Sequence, residues 1–243
     1  MCLLLRSTEV RFSSSALLRL PINDLYVLIL TPERGHAAYL GPIGGVLKYR
    51  PRECKKIFAD MGISSYEERV AESPGDDVLN DLRIRMPRKS FLKFLKWYLT
   101  TEGREAPQNA LRREIREEIS ADPLIPESVV RAAENCTFIS AHISVKAFKT
   151  RSDQRLLHYR LFNVFDIADD EWAEKFIKEI QQLLEEDQTS VTSASKTEIF
   201  EGLGRVSRDG VRSVVNIGAH SISMFKKHLH KEREDEAVGR AEK

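Results

Sequence analysis

Glutamate and arginine side chains are concentrated in residues 103–121, around a short apolar stripe at helical spacing. Pro107 suits the first turn of a helix, because its missing N–H is not needed there. After it, apolar residues recur three or four positions apart, at Ala110, Leu111, Ile115 and Ile119. This spacing predicts a helix from Pro107 to Ile119, and we expect the rest of the chain to hold that helix in place.

The charged residues beside the apolar stripe fall on one side of this helix, at Arg113, Glu114, Glu117 and Glu118. Glu114 and Glu118 are like charges four residues apart, a pair that is mildly destabilising unless a cation lies between them. Mg²⁺ prefers oxygen ligands and is usually bound by one or two carboxylates together with substrate phosphates. Helix geometry alone therefore leaves two interpretations open, a divalent metal site and an ordinary charged surface.

The order of the charged residues is more informative than their number. Glu105 is followed, after seven residues, by Arg113-Glu114-Ile115-Arg116-Glu117-Glu118. This order resembles the Nudix box, Gly-x5-Glu-x7-Arg-Glu-U-x-Glu-Glu-x-Gly-U with U an aliphatic residue, and every fixed position from Glu105 to Glu118 matches. Leu99 and Ser120 replace the two glycines of the box, and Ala121 takes its last aliphatic position. The loop before the helix is therefore expected to differ from that of the family.

A glycine pair upstream resembles the strand that enters a Nudix box, within Gly41-Pro42-Ile43-Gly44-Gly45-Val46-Leu47-Lys48. An insertion of about 55 residues separates this strand from Glu105. It contains Asp81-Leu82-Arg83 and Pro87-Arg88-Lys89, followed by an aromatic series at Phe91, Phe94, Trp97 and Tyr98. These features are similar to the SMODS-associated Nudix domain, which is found beside bacterial nucleotide-second-messenger synthases in predicted antiviral systems.

The resemblance implies an α/β fold, a Nudix-type α/β/α sandwich with a mixed sheet and an insertion before the Nudix helix. It also implies hydrolysis of a nucleoside diphosphate linked to another moiety, with Mg²⁺ or Mn²⁺ bound by Glu114, Glu117 and Glu118. Arg113 would orient a glutamate by ion pairing, and Glu105 would support the site or bind metal. The alternative is a nucleotide-sensing or binding module that does not cleave its ligand, which the insertion and the lost glycines favour. A purely structural interaction domain is a third possibility.

Two further groups are candidates for substrate binding. Gly44 and Gly45 permit a close backbone approach, which fits a substrate-side loop as well as a plain turn. The densest basic stretch before the box contains Arg83, Arg85 and Arg88, and arginine clusters commonly recognise phosphate. A solvated basic rim is the alternative for these arginines. Glu198 is a candidate for an additional catalytic acid or for a helix cap.

With 243 residues, 42% of them hydrophobic, the chain can bury a sizeable core. We expect one Nudix domain over residues 1–230, with the insertion at about 50–102, and a charged tail over 231–243.

The net charge of +1 provides no global field for nucleic acid or an anionic membrane, so any basic site must be local. Three distant cysteines favour reduced thiols. The chain is therefore expected to be cytoplasmic. The resemblance implies a nucleotide-derived ligand and, as partner, a second-messenger synthase system.

Local patterns predict several further elements. Residues 10–20 and 25–30 are expected to pair as a β-hairpin, because turn residues lie between them. Residues 138–148 alternate as a half-buried strand, and the apolar run 156–167 is expected to lie centrally in a mixed sheet. A polar loop is expected at 188–196, and a closing helix at 214–229.

Overall fold

The computed structural model describes residues 8–31, 38–63, 65–66, 79–149, 155–186, 189–208 and 211–225. Within these residues the α-helices are α1 (Pro51–Asp60), α2 (Phe91–Thr100), α3 (Pro107–Ile119), α4 (Glu127–Asn135), α5 (Glu171–Glu186) and α6 (Lys196–Glu201). Short 3₁₀ helices cover Arg88–Ser90 and Ser221–Met224. No helix of the described part is long and apolar enough to cross a membrane.

The strands of the described part, in chain order, are β1 (Glu9–Leu18), β2 (Pro21–Ile22), β3 (Leu25–Thr31), β4 (Tyr39–Gly41), β5 (Gly44–Val46), β6 (Lys48–Tyr49), β7 (Ser65–Tyr66), β8 (Asn80–Asp81), β9 (Arg83–Pro87), β10 (Phe138–Lys149), β11 (Leu156–Ile167), β12 (Val191–Ser195), β13 (Leu203–Arg208) and β14 (Val211–Ile217). Most of them form two mixed sheets. The predicted mixed α/β fold is therefore confirmed.

The first sheet has the strand order β10-β11-β1-β9-β7, and β5 pairs with the far end of β1. Strand β1 runs parallel to β11 and antiparallel to both β9 and β5. Alternate residues of β1, such as Val10 and Phe12, are fully buried, so one face of the sheet forms the core. The opposite face carries Arg11, Ser13 and Ser15. The predicted interior position of β11 is correct.

The second sheet has the order β12-β3-β4-β14-β13, with β2 beside β3. The predicted hairpin between 10–20 and 25–30 is wrong in its partners, because β1 and β3 belong to different sheets. The turn itself was correctly placed: Asn23 and Asp24 have positive φ angles, and they join β3 to the two-residue strand β2. Turn chemistry is local, whereas the partner of each strand depends on contacts distant in sequence.

Helix α3 has the predicted bounds, and its stripe of Ala110, Leu111, Ile115 and Ile119 is fully buried. The insertion packs into the same core. Phe58 of α1 and Phe94 of α2 lie within one hydrophobic cluster with Phe12 of β1, and the rings of Phe12 and Phe94 are 5.0 Å apart. Each buried aromatic side chain contributes about 1.5–3 kcal/mol to stability through its burial. The insertion therefore supports the sheet on which α3 rests.

Three other local predictions are corrected. The predicted single apolar face of β10 is interrupted, because the register with β11 shifts between Ser140 and His142 and places Ile139 and Ile143 on opposite faces; on this edge strand they are 49% and 61% exposed. The predicted loop at 188–196 contains strand β12, which pairs with β3 and so satisfies its backbone groups in the second sheet. Residues 214–217 of the predicted closing helix lie in β14, where β-branched side chains fit a strand, and residues 226–229 lie outside the described part.

Candidate active site

The backbone of the glycine strand β5 lies close to two carboxylates of helix α3. The Gly44 N–H donates a hydrogen bond of 2.9 Å to Glu118 Oε2. At Gly45 a Cβ atom would overlap the carboxylate of Glu114, and at Gly44 it would overlap the Ala16 carbonyl oxygen, where φ is +139°. Gly44 is therefore required by its backbone conformation and by the closeness of β1, whereas a side chain at Gly45 would displace the Glu114 carboxylate.

Arg113 binds three glutamates at once. Its guanidinium donates two hydrogen bonds of 3.1 Å to Glu105, one of 2.6 Å to Glu114 and one of 3.2 Å to Glu117. A fourth partner is the Val46 carbonyl oxygen of β5, at 3.1 Å. Burial opposes the charge of Arg113, but the bonds to Glu105 and Glu114 outweigh it and raise its pKa. The planar fork of an arginine suits this multiple bonding.

Glu105 lies behind the carboxylates of the cavity. One of its oxygens accepts a 3.1 Å hydrogen bond from the Lys48 N–H, and its own N–H donates to the Lys48 carbonyl oxygen at 2.9 Å. Lys48 Nζ is also 3.6 Å from Glu117. Of the two roles expected for Glu105, this geometry matches support of the site, since the carboxylate is bonded to Arg113 and to the Lys48 backbone.

An open cavity of about 460 Å³ lies beside the carboxylates. Glu114 and Glu118 line it, together with Gly44, Gly45 and Arg83. Two other arginines of the predicted phosphate-binding group, Arg85 and Arg88, do not line it, and neither do Glu105, Arg113 and Glu117. Arg85 instead forms an ion pair with Glu9. The structure thus brings five of the predicted site residues to one cavity.

The two glutamates that line the cavity resist ionisation. The pKa of Glu118 is raised to about 8, chiefly by burial and in part by the neighbouring Glu114 and Glu117, against the lowering effect of the Gly44 N–H. Burial also raises the pKa of Glu114, although Arg113 lowers it. Buried carboxylates whose pKa is raised in a cavity are typical of functional sites.

The described residues contain no group of three or more His, Cys, Asp or Glu side chains arranged to hold a metal ion. The predicted set of four glutamates is therefore not arranged as a single metal centre in this part of the chain. Mg²⁺ needs only one or two carboxylates when water and substrate phosphates complete its shell. Glu114 and Glu118 provide such a pair at the cavity wall, so the residues present fit a divalent ion.

Several lining residues were not predicted. Arg11 of β1 and both His158 and Arg160 of β11 form one side of the cavity, and His220 lines it from the turn after β14. The alternation of polar and buried residues in β1 was the available signal. It could not show that β11, about 147 residues later, would lie beside β1 in parallel.

Glu198 does not line the cavity. Its carboxylate accepts a 2.8 Å hydrogen bond from the N–H of Ser195, and the Ser195 hydroxyl accepts one from the Glu198 N–H. This reciprocal pair is a capping box at the start of α6. The Ser195 N–H also lowers the pKa of Glu198. The helix-cap interpretation of Glu198 is the one that this geometry supports.

A mixed α/β fold in which a glycine strand closes on a helix of arginine-bound glutamates defines a Nudix-type domain. Comparison with protein families matches residues 9–225 to the SMODS-associated NUDIX domain. The match covers most of the chain, which therefore belongs to this family. No curated protein and no solved structure matches the chain.

Proposed function

We propose that this domain hydrolyses a diphosphate bond in a nucleotide substrate, with Mg²⁺ or Mn²⁺ held by Glu114 and Glu118. The observation that carries the proposal is the placement of these two carboxylates. They lie on one side of α3 and line the same cavity, and burial raises the pKa of both, with Glu114 adding to the rise at Glu118. A divalent cation would offset the charge that burial makes unfavourable.

A divalent ion bound there would neutralise phosphoryl oxygens and lower the pKa of a coordinated water. Arg113 keeps the Glu114 carboxylate oriented through its 2.6 Å bond and places Glu117 at the outer side of the site. The Gly44 N–H occupies Glu118 Oε2, which leaves Oε1 to meet the cation or to accept a proton. If Glu114 alone held the ion, Glu118 would be free to act as the general base through Oε1.

Three residues of the cavity wall are proposed to contact the substrate. Gly44 and Gly45 border the cavity without side chains, so a diphosphate can approach the backbone of β5. Arg83 lines the same cavity and is the member of the predicted arginine group that we keep as a phosphate contact. Arg85 is engaged by Glu9, and Arg88 lies outside the lining, so both fit a basic rim better.

A second candidate function is a binding module that senses a nucleotide without cleaving it. The observation that favours it is that Glu105 and Glu117 are bonded to Arg113, so three metal-binding carboxylates are not gathered in the described residues. For either function we propose a setting in cytoplasmic nucleotide signalling beside a second-messenger synthase in bacterial antiviral defence, on the ground that the family is described as SMODS-associated.

Turnover separates the two candidates. The full chain is incubated with a panel of nucleoside diphosphate derivatives and either Mg²⁺ or Mn²⁺, and release of the cleaved products is followed. The hydrolase proposal predicts products that form with metal and disappear in EDTA. Saturable nucleotide binding with no product under either metal would instead select the binding module.

A further inference from the structure

A row of basic side chains crosses the outer face of the first sheet. Ser13 of β1 is aligned with Arg83 of β9 on one side and with Arg160 of β11 on the other. Arg160 is in turn aligned with Lys146 of β10. Neighbouring strands are about 4.8 Å apart, and aligned side chains point to the same face. Three cations from three strands therefore share one line across the sheet.

A fourth cation lies in the adjacent row. Arg11 precedes Ser13 by two residues on β1, so it projects from the same face, and it is aligned with His158 of β11. Arg11, Arg83 and Arg160 all line the cavity. The Arg160 guanidinium lies over the ring of Phe148, 5.3 Å from its centre, which keeps it on this face.

These cations are poorly compensated. Among the described residues, Arg11, Lys146 and Arg160 form no ion pair with a carboxylate, and the acid beside Arg83 is Asp81, at 3.5 Å. Burial lowers the pKa of Arg160, and the charges of Arg11 and Arg83 lower it further. With a net charge of only +1 for the whole chain, this concentration is not a general surplus of basic residues. Clustered like charges are unfavourable unless an anion lies among them.

The cationic patch and the carboxylates occupy different ends of one cavity. Gly44, which binds Glu118, is aligned with Leu17 of β1, whereas the row of cations crosses β1 at Ser13. Four residues of extended strand separate these two backbone positions by about 13 Å, and the long arginine and glutamate side chains shorten the gap between the charged groups themselves. A diphosphate joined by one oxygen is short compared with this distance. A ligand that reaches both ends must carry anionic groups on either side of a longer spacer.

We propose that Arg11, Arg83 and Arg160, with Lys146 beside them, form a second phosphate site for a group remote from the diphosphate at Glu114 and Glu118. The chemical class that fits is a nucleotide with phosphate groups on both sides of a ribose, a 5′-diphosphate at the carboxylates and a 3′-phosphate at the arginines. The 5′ end of this assignment rests on the proposed function. The arginine site itself does not require hydrolysis.

The test compares two probes, adenosine 5′-diphosphate and adenosine 3′-phosphate 5′-diphosphate, by isothermal titration in EDTA at low salt. The parent protein is expected to bind the 3′-phosphorylated probe at least about tenfold more tightly, and the preference should shrink as salt rises because the extra contacts are ionic. In Arg11→Gln/Arg160→Gln the two affinities should differ by less than about twofold. Circular dichroism establishes that the variant is folded.

Lys55→Gln/Lys56→Gln is the matched control, because it removes the same charge from exposed positions of α1. It should keep the parental preference. A parent without preference for the 3′-phosphate, an arginine variant that retains it, or a control that loses as much would each overturn the second phosphate site. EDTA prevents metal-dependent turnover, so these results are independent of whether the chain is a hydrolase.

Discussion

Glu118 and Gly44 are 74 residues apart in the chain, yet the Glu118 carboxylate accepts a 2.9 Å hydrogen bond from the Gly44 N–H. This bond joins the acidic helix to the glycine strand and fixes one wall of the cavity. A single N–H only partly compensates a carboxylate that burial and two neighbouring glutamates make difficult to ionise. The geometry of the site is therefore maintained at a cost in stability.

The first prediction follows from that cost. The folded pKa of Glu118, about 8, lies above its ordinary value of 4.5, so the stability linked to its proton is present below about 4.5 and is lost as pH rises toward 8. Glu118→Gln removes this loss. In EDTA at pH 8 the free energy of unfolding, measured with denaturant, should be at least about 1 kcal/mol higher for the variant than for the parent. Near pH 4.5 this difference should be gone.

Glu117→Gln serves as the control for this experiment, because it removes the same charge from a side chain that is 51% exposed. It should give a smaller gain at pH 8. Equal stability of parent and Glu118→Gln at every pH would show that the buried carboxylate carries no such cost.

The second prediction concerns Arg113. Arg113→Lys retains the charge but cannot bond Glu105, Glu114 and Glu117 together, so buried carboxylate oxygens lose their donors. Each such loss costs about 1–3 kcal/mol, and a decrease of that size is expected in urea unfolding. Arg116→Lys is the control, since Arg116 is 68% exposed and, within the described ranges, pairs with Glu134 alone. Equal effects of the two substitutions would refute the special role of Arg113.

The third prediction uses Gly45. Gly45→Ala places a Cβ atom in the space of the Glu114 carboxylate, which must move away from the cavity wall. Calorimetric titration with Mn²⁺ should show at least about tenfold weaker binding than in the parent. In a Glu114→Ala background the same glycine substitution should have little further effect, because the displaced group is gone. Full additivity of the two substitutions would contradict displacement of Glu114 as the cause.

The fourth prediction concerns His220, whose ring packs edge-on against Tyr39. Its pKa is lowered to about 4, chiefly by burial and in part by the charges of Lys146 and Arg160. Its folded pKa lies below the ordinary 6.5, so the unfolded chain binds the proton more tightly and stability falls as pH drops from about 6.5 toward 4. One proton accounts for at most about 1.4 kcal/mol per pH unit. His220→Gln should flatten the acid side of the stability curve, and an unchanged slope would contradict this origin.

The sequence sufficed where the signal was local. Periodicity gave the bounds of α3 and the burial of Ile115, and the order of Glu105 and the residues after it identified the arginine-bound carboxylates. It did not suffice where strands distant in sequence come together. Arg160 joins Arg83 at the cavity only because β11 and β9 both pair with β1. The exposure of Ile143 has the same origin, since the edge position of β10 is not encoded in its own alternation.

The hydrolase proposal is tested most directly by turnover of Glu118→Gln. This variant keeps the side-chain shape and an oxygen for the Gly44 N–H but removes the charge. On a nucleotide that the parent cleaves with Mg²⁺ or Mn²⁺, kcat is expected to fall by about 10²-fold or more with little change in KM, because the carboxylate acts chiefly in the transition state. Glu127→Gln, at an exposed position of α4, should retain parental kcat. Parental turnover by folded Glu118→Gln would contradict the proposal.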